Sequence, residues 1–182
     1  MSDANSNPLV HLVTGSTGAG KTSYAIELSK KRGAVRFSID EWMGKLYWMD
    51  SPRPAQYEWA IERIARCEEL IAATVRQLGA LGIASVLDLG FTRADHRARF
   101  AKLALECNLP VQLHYLKVSK EERWRRVIER NSTRGATYEM NVDRGMFDFM
   151  EGIWEPPDTE EMQRLNGVLI SDNVAPRSRA GS

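Results

Sequence analysis

Cysteine is scarce in this chain of 182 residues, which carries only Cys67 and Cys107. Two distant thiols among apolar neighbours build no disulfide framework; they read as buried small hydrophobes in a cytosolic protein. Three isolated histidines do not combine with them into zinc-ligand spacing. Charge of one sign is also missing. Lys and Arg number 25 against 24 Asp and Glu, a net charge of +1, without the overall basic excess of a non-specific nucleic-acid binder. No run approaches the roughly 18 apolar residues of a membrane span, so no membrane partner is expected. Residues 1–8 are polar, with no basic segment leading into an apolar one, unlike a secretory leader. Residues 1–7 are expected to be a disordered lead-in and residues 173–182 a flexible basic tail, leaving one domain over residues 8–172.

What is present alternates. Residues 9–14, 35–40, 83–89, 111–118 and 167–171 are short, apolar and rich in β-branched residues, and read as strands. Between them lie helical patterns at 21–32, 56–81, 93–107 and from Ser119 to about Arg130, with a further helix at 141–152. Gly33, Gly79, Gly82, Pro110 and Pro156-Pro157 punctuate them. Strand and helix in alternation predict an α/β fold, a mostly parallel sheet with helices on both faces. Ligands in such sheets bind beyond the carboxyl ends of the strands.

The run Gly15-Ser16-Thr17-Gly18-Ala19-Gly20-Lys21-Thr22 matches G-x-x-x-x-G-K-[ST] without a mismatch, between a strand and a helix. Its glycines let successive backbone N–H groups turn inward on phosphate oxygens, and the helix N-terminus adds partial positive charge. Residues 15–23, ending at Ser23, are therefore the expected nucleotide seat. Lys21 is expected to reach the β- and γ-phosphates and the Thr22 hydroxyl to ligate Mg²⁺.

Such a loop serves kinases, GTPases, motors and DNA-processing ATPases alike. The chain has no Asn-Lys-x-Asp stretch for guanine and no acidic pair ending an apolar strand. It has Asp40, just past the second expected strand, where a carboxylate can take the proton of an attacking hydroxyl, or cap a helix starting at Glu41, or both. Asp88 ends the third strand, where it can hold the Mg²⁺ water shell, contact an acceptor, or serve the turn at Gly90. Arg93 and Arg97 face either the same cleft or, as the favoured reading, solvent. Arg123, Arg126, Arg130 and Arg134 are spaced three, four and four. They form either a solvent stripe paired with Glu122 and Glu129, or a clamp over a migrating phosphoryl group, the latter reading applying most to Arg130 and Arg134. The polar stretch 131–138 has the composition of a lid, taken to extend over about 130–152.

Gly15 to Thr22, Asp40, Asp88 and Arg130-Asn-Ser-Thr-Arg134-Gly135 together resemble the small P-loop kinases, a group that includes the kinase domain of phage polynucleotide kinase, chloramphenicol phosphotransferase and the zeta-type toxins. Bacterial AAA family ATP-binding proteins look closer still, sharing Ser38-Ile-Asp-Glu41, Leu87-Asp-Leu-Gly-Phe91 and Glu155-Pro-Pro-Asp158. The resemblance covers roughly residues 8–172. It implies a five-stranded parallel sheet of order 2-3-1-4-5 with a helical lid, ATP with Mg²⁺ as donor, and a hydroxyl as acceptor. By position it makes Asp40 the general base and Arg130 and Arg134 the lid arginines. The sequence departs from polynucleotide kinases at Met43, where those enzymes carry an arginine that holds nucleic acid. A small or nucleoside-like acceptor is therefore expected ahead of a polynucleotide. Trp42, Tyr47, Trp48 and Trp59 either line the acceptor entrance or pack the core.

Overall fold

A computed structural model describes residues 9–54, 56–133 and 141–171. The expected lead-in, the tail and Arg134 lie outside these residues. Five strands form one parallel sheet in the order β2-β3-β1-β4-β5. They are β1 (Val10–Thr14), β2 (Val35–Ser38), β3 (Ser85–Asp88), β4 (Val111–Lys117) and β5 (Val168–Ser171). β1 is the centre: it pairs with β3 through Val10↔Ser85 and with β4 through Val10↔Val111 to Thr14↔Tyr115. All five of its residues are buried, as the uninterrupted apolar run requires of a strand covered on both faces.

The strand side chains alternate between two cores. Val10, Leu12, Phe37, Leu87 and Leu113 pack against α2 (Ile39–Leu46), α3 (Tyr57–Ala80) and α4 (Ala94–Glu106) through Met43, Ile71, Val75, Phe100 and Ala104. Val13, Val86 and Leu116 pack on the other face against Ala25 and Leu28 of α1 (Lys21–Arg32). Truncating the fully buried Ile71 to alanine costs about 2–5 kcal/mol, because the densely packed face closes only partly over the void. A third small cluster, Val127, Val142 and Phe147 with Trp124, joins α5 (Lys120–Thr133) to α6 (Arg144–Ile153).

Local chemistry accounts for the ends. α1 stops at Gly33 (φ 60°), after Lys30, Lys31 and Arg32 at the negative end of the helix dipole. Ser119 caps α5, accepting from the Glu122 N–H at 3.3 Å. α6 begins one residue after Asp143, whose carboxylate accepts from the Met146 N–H at 2.8 Å. The break expected at Pro156-Pro157 is followed by a helix absent from the sequence reading, α7 (Thr159–Arg164), capped by Asp158. Trp42, Tyr47, Trp48 and Trp59 are partly buried against the larger core; Trp48 and Trp59 lie 5.9 Å apart and the Arg63 guanidinium sits 4.1 Å above the Trp59 ring.

A polar relay crosses the smaller core. His11 Nδ1 lies 2.9 Å from His114 Nε2, and His114 Nδ1 lies 2.8 Å from the Tyr24 hydroxyl. This ties β1, β4 and α1 together behind the glycine-rich loop. Burial, reinforced by Arg32 for His11 and by His11 and then Arg32 for His114, lowers both imidazoles to about 4. An unfolded chain takes up these protons near pH 6.5, and the folded chain only near pH 4. The stability contributed by the neutral pair is therefore complete above pH 6.5 and lost as pH falls toward 4. Denaturant titrations at pH 7 and 4.5 are expected to show a loss of roughly 4–5 kcal/mol from this source. The double variant His11→Gln, His114→Gln should lose that part of the slope.

Candidate active site

The loop between β1 and α1 folds back on itself: the Ala19 N–H donates to Ser16 O at 3.1 Å, and Lys21 Nζ donates to the same carbonyl at 3.4 Å. Gly18 has φ +82°, and a β-carbon placed there would lie 2.5 Å from the Arg123 carbonyl oxygen. Both conformation and space require glycine at that point. Gly20, at φ 91°, caps α1, whose free N–H groups face the loop. Ser16 and Ala19 are buried, and Gly20 and Ser23 are exposed.

Lys21, Thr22, Asp88, Asp40 and Arg130 are close enough to act on one another. Burial lowers the Lys21 ammonium below its ordinary value; Asp88 and Asp40 push it back up, and Arg123 and Arg130 push it down. Burial raises the Asp88 carboxyl, against the opposing pull of Lys21 and a hydrogen bond from Thr22, with Asp40 adding to the rise. Two unsatisfied groups of opposite sign stand out. Asp88 Oδ2 is buried without a hydrogen bond, its one ion pair among the described residues being with Arg36 Nη1 at 3.6 Å, and Nε and Nη2 of Arg130 are buried with no hydrogen-bond partner. Unpaired buried polar atoms are costly and in native proteins have a reason. A carboxylate oxygen free of hydrogen bonds beside a threonine hydroxyl suits a hydrated divalent cation; two bare guanidinium nitrogens suit phosphate oxygens. Thr22 and Asp88 thus fit Mg²⁺. Among the described residues no group of three or more His, Cys, Asp and Glu gathers to form an all-protein metal cage.

Asp40 stands differently from the sequence reading. β2 ends at Ser38, not at Asp40, and Asp40 is the second residue of α2. The cap is Ser38, whose hydroxyl accepts from the Glu41 N–H at 3.4 Å, so Asp40 is not the cap. Ser38-Ile-Asp-Glu41 fits the S-x-x-E helix-start pattern, a signal that was there to be read. With capping assigned to Ser38, the Asp40 side chain is exposed and makes no hydrogen bond or ion pair among the described residues. The same strand supplies Arg36, missed by sequence reasoning, which pairs with Glu41 and lies 3.6 Å from Asp88 Oδ2.

The arginines divide by partner. Arg97 is fully buried, not solvated. It makes a bidentate pair with Glu161 at 2.7 Å and donates to the carbonyls of Phe91 and Glu155. Arg93 is exposed and pairs with Asp95. Arg123 is also buried, paired with Glu151 of α6 and donating to Thr17 O at 3.2 Å, so it buttresses the loop and is neither clamp nor solvent stripe. Arg126 reaches Ala19 O at 3.4 Å and pairs with Glu122. Arg130 alone of these offers bare nitrogens toward the cluster; Arg134 falls outside the described residues. α5 runs three residues beyond Arg130 into the stretch expected to be a lid.

The parallel 2-3-1-4-5 sheet and the loop at the end of β1 define a P-loop NTPase fold. A family model described as an AAA domain matches residues 10–157. The chain belongs to that family. Among solved structures it is similar to Kti12 of Chaetomium thermophilum in complex with ADP-AlF3, at 19% identity and a TM-score of 0.67, covering 91% of this chain and 90% of that one. A putative kinase from Chloroflexus aurantiacus matches at 16% identity and a TM-score of 0.64, covering 91% and 84%. The APS kinase CysC of Mycobacterium tuberculosis, in complex with AMPPNP and APS, matches at 15% identity and 0.62, covering 93% and 91%. These likenesses are of fold. No curated protein matches the sequence.

Proposed function

We propose that this protein is an ATP-dependent phosphotransferase that moves the γ-phosphoryl group of Mg·ATP to a hydroxyl of a small or nucleoside-like acceptor. The observation that carries the reading is the group around Lys21: an Asp88 carboxylate oxygen that no hydrogen bond satisfies, 3.6 Å from Arg36, bare guanidinium nitrogens on Arg130, and an exposed carboxylate on Asp40 without a hydrogen bond or ion pair among the described residues. A bound triphosphate, its cation and an acceptor hydroxyl would supply the missing hydrogen bonds and ligands.

In this mechanism the backbone N–H groups of residues 15–23 and the Lys21 ammonium hold the triphosphate tail. Thr22 and Asp88 would hold Mg²⁺, which when bound offsets phosphate charge. Asp40 accepts the acceptor's hydroxyl proton. The acceptor oxygen forms a bond to Pγ as the bond from Pγ to the β,γ-bridging oxygen breaks, and ADP leaves with that electron pair. Arg130 and, by the resemblance, Arg134 stabilise charge spread over the moving phosphoryl oxygens. Positioning and electrostatics supply most of the acceleration. Among the described residues no helix is long and apolar enough to cross a membrane, which suits an acceptor met in water.

The test is ADP release by purified protein with Mg·ATP against nucleosides, aminoglycosides, other antibiotics, sugars and oligonucleotides. One chemical class of small hydroxyl compound should stimulate release and emerge phosphorylated. Labelling of an oligonucleotide 5′-hydroxyl, with strong salt dependence of binding, would replace the small-molecule reading with a polynucleotide kinase. Slow hydrolysis that no acceptor stimulates would replace it with an ATP-hydrolysing protein.

A further inference from the structure

The outer wall of the phosphate loop holds a connection that the transfer chemistry leaves unused. The Ser16 hydroxyl, in the first variable position of the loop, donates to the carboxylate of Glu151, 135 residues further along the chain. The same carboxylate receives both ends of the Arg123 guanidinium, with Nη2 at 2.7 Å from Oε2. Arg123 in turn donates to Thr17 O at 3.2 Å and to Val118 O at 3.1 Å. Loop, α5 and α6 therefore meet at one charged knot, and the contact of Gly18 with the Arg123 carbonyl leaves no slack between loop and α5.

Glu151 does not stand in for a bound phosphate. Among the described residues it makes no ion pair with Lys21, and its charge is already matched by Arg123. It grips the loop from behind. α5 carries Arg130, and α6 resumes the chain beyond Arg134, so both arms of the arginine-bearing segment are fastened to the loop that receives ATP.

We propose that Glu151 is a positioning residue: through Ser16 it fixes the phosphate loop to α6, so that ATP affinity and the order of α6 depend on each other. The inference rests on residues 15–23 being the nucleotide seat. A ligand that orders the loop then also orders α6, and loosening the joint makes ATP order the loop unaided.

The test uses the full chain with Ser16→Ala, which removes the hydroxyl and leaves Arg123 paired, and Glu151→Gln, which keeps the shape and an acceptor oxygen but removes the charge. Calorimetry should show Mg·ATP binding weakened about fivefold by Ser16→Ala and to a similar or larger extent by Glu151→Gln. For Glu151→Gln the turnover number at saturating ATP should stay within about twofold. Hydrogen exchange separates positioning from simple stabilisation. In the parent protein Mg·ATP should slow exchange in residues 15–23 and in 144–153 together; in Ser16→Ala it should slow the loop while the effect on 144–153 shrinks, since only the Arg123 link remains. ATP protection of 144–153 that is undiminished in Ser16→Ala, or parental ATP affinity in both variants, overturns the proposal. Absence of Mg·ATP binding to the parent protein overturns the nucleotide seat itself. Should Glu151→Gln fail to fold, Ser16→Ala decides the matter alone.

Discussion

Replacing Lys21 with alanine is expected to lower phosphoryl transfer by about three orders of magnitude or more, with Mg·ATP binding weakened as well. The size follows from the setting. Lys21 is a half-buried cation supported by Asp88 and Asp40, with Arg123 and Arg130 opposing it. Desolvated charge aimed at a place where negative charge gathers is worth far more than the same charge in water. Removing it leaves Asp88 without the cation that offsets its burial, so the apo protein should also change in stability. Initial rates of ADP formation, with thermal unfolding measured alongside, separate the two effects. A folded Lys21→Ala protein that transfers phosphate at more than a tenth of the parent rate contradicts the nucleotide seat.

Asp40→Asn is expected to behave otherwise. Its side chain is exposed, makes no hydrogen bond or ion pair among the described residues, and does not cap α2. The amide should leave thermal stability within about 0.5 kcal/mol and Mg·ATP affinity nearly unchanged. Turnover with a true acceptor should fall about 10²–10⁴-fold, the range associated with general acid–base catalysis. The diagnostic is that split between preserved binding and lost transfer. If Asp40→Asn keeps near-parental turnover with an acceptor that the parent phosphorylates, the proton goes elsewhere.

Local features of the fold were legible in the sequence. The helix from Lys21 to Arg32 and its stop at Gly33 follow from spacing and a glycine terminator, and α1 has those same bounds. The order of the strands came from the resemblance, since periodicity says which segments are strands but not which lie side by side. Asp40 was misplaced by two residues of strand because the apolar alternation continues through Ile39, while the cap at Ser38 overrides it. What stayed hidden was non-local. Arg97 looks like any arginine on a polar helix face until Glu161 arrives 64 residues later. Arg123 belongs to an apparent stripe until Glu151 is brought beside it. Neither spacing nor propensity encodes such pairs, which exist only after the sheet has brought the helices together. Thr159–Arg164 is a single short helix, below the length at which periodicity identifies one.

The buried Arg97 guanidinium sets a lower limit on how far a fragment of this chain must extend in order to fold. Its partners come from two directions: Phe91 from the turn after β3, and Glu155 with Glu161 from the segment after α6. An expression boundary drawn at Trp154, where the helices nearest the phosphate loop finish, would strip a fully buried cation of its counter-ion at a cost of about 3–5 kcal/mol. That is a large fraction of what a domain of this size has to spare. Excised fragments meant to retain the nucleotide seat therefore have to run at least through Glu161, and to keep the fifth strand through Ser171, although nothing beyond residue 154 touches that seat directly in the contacts described.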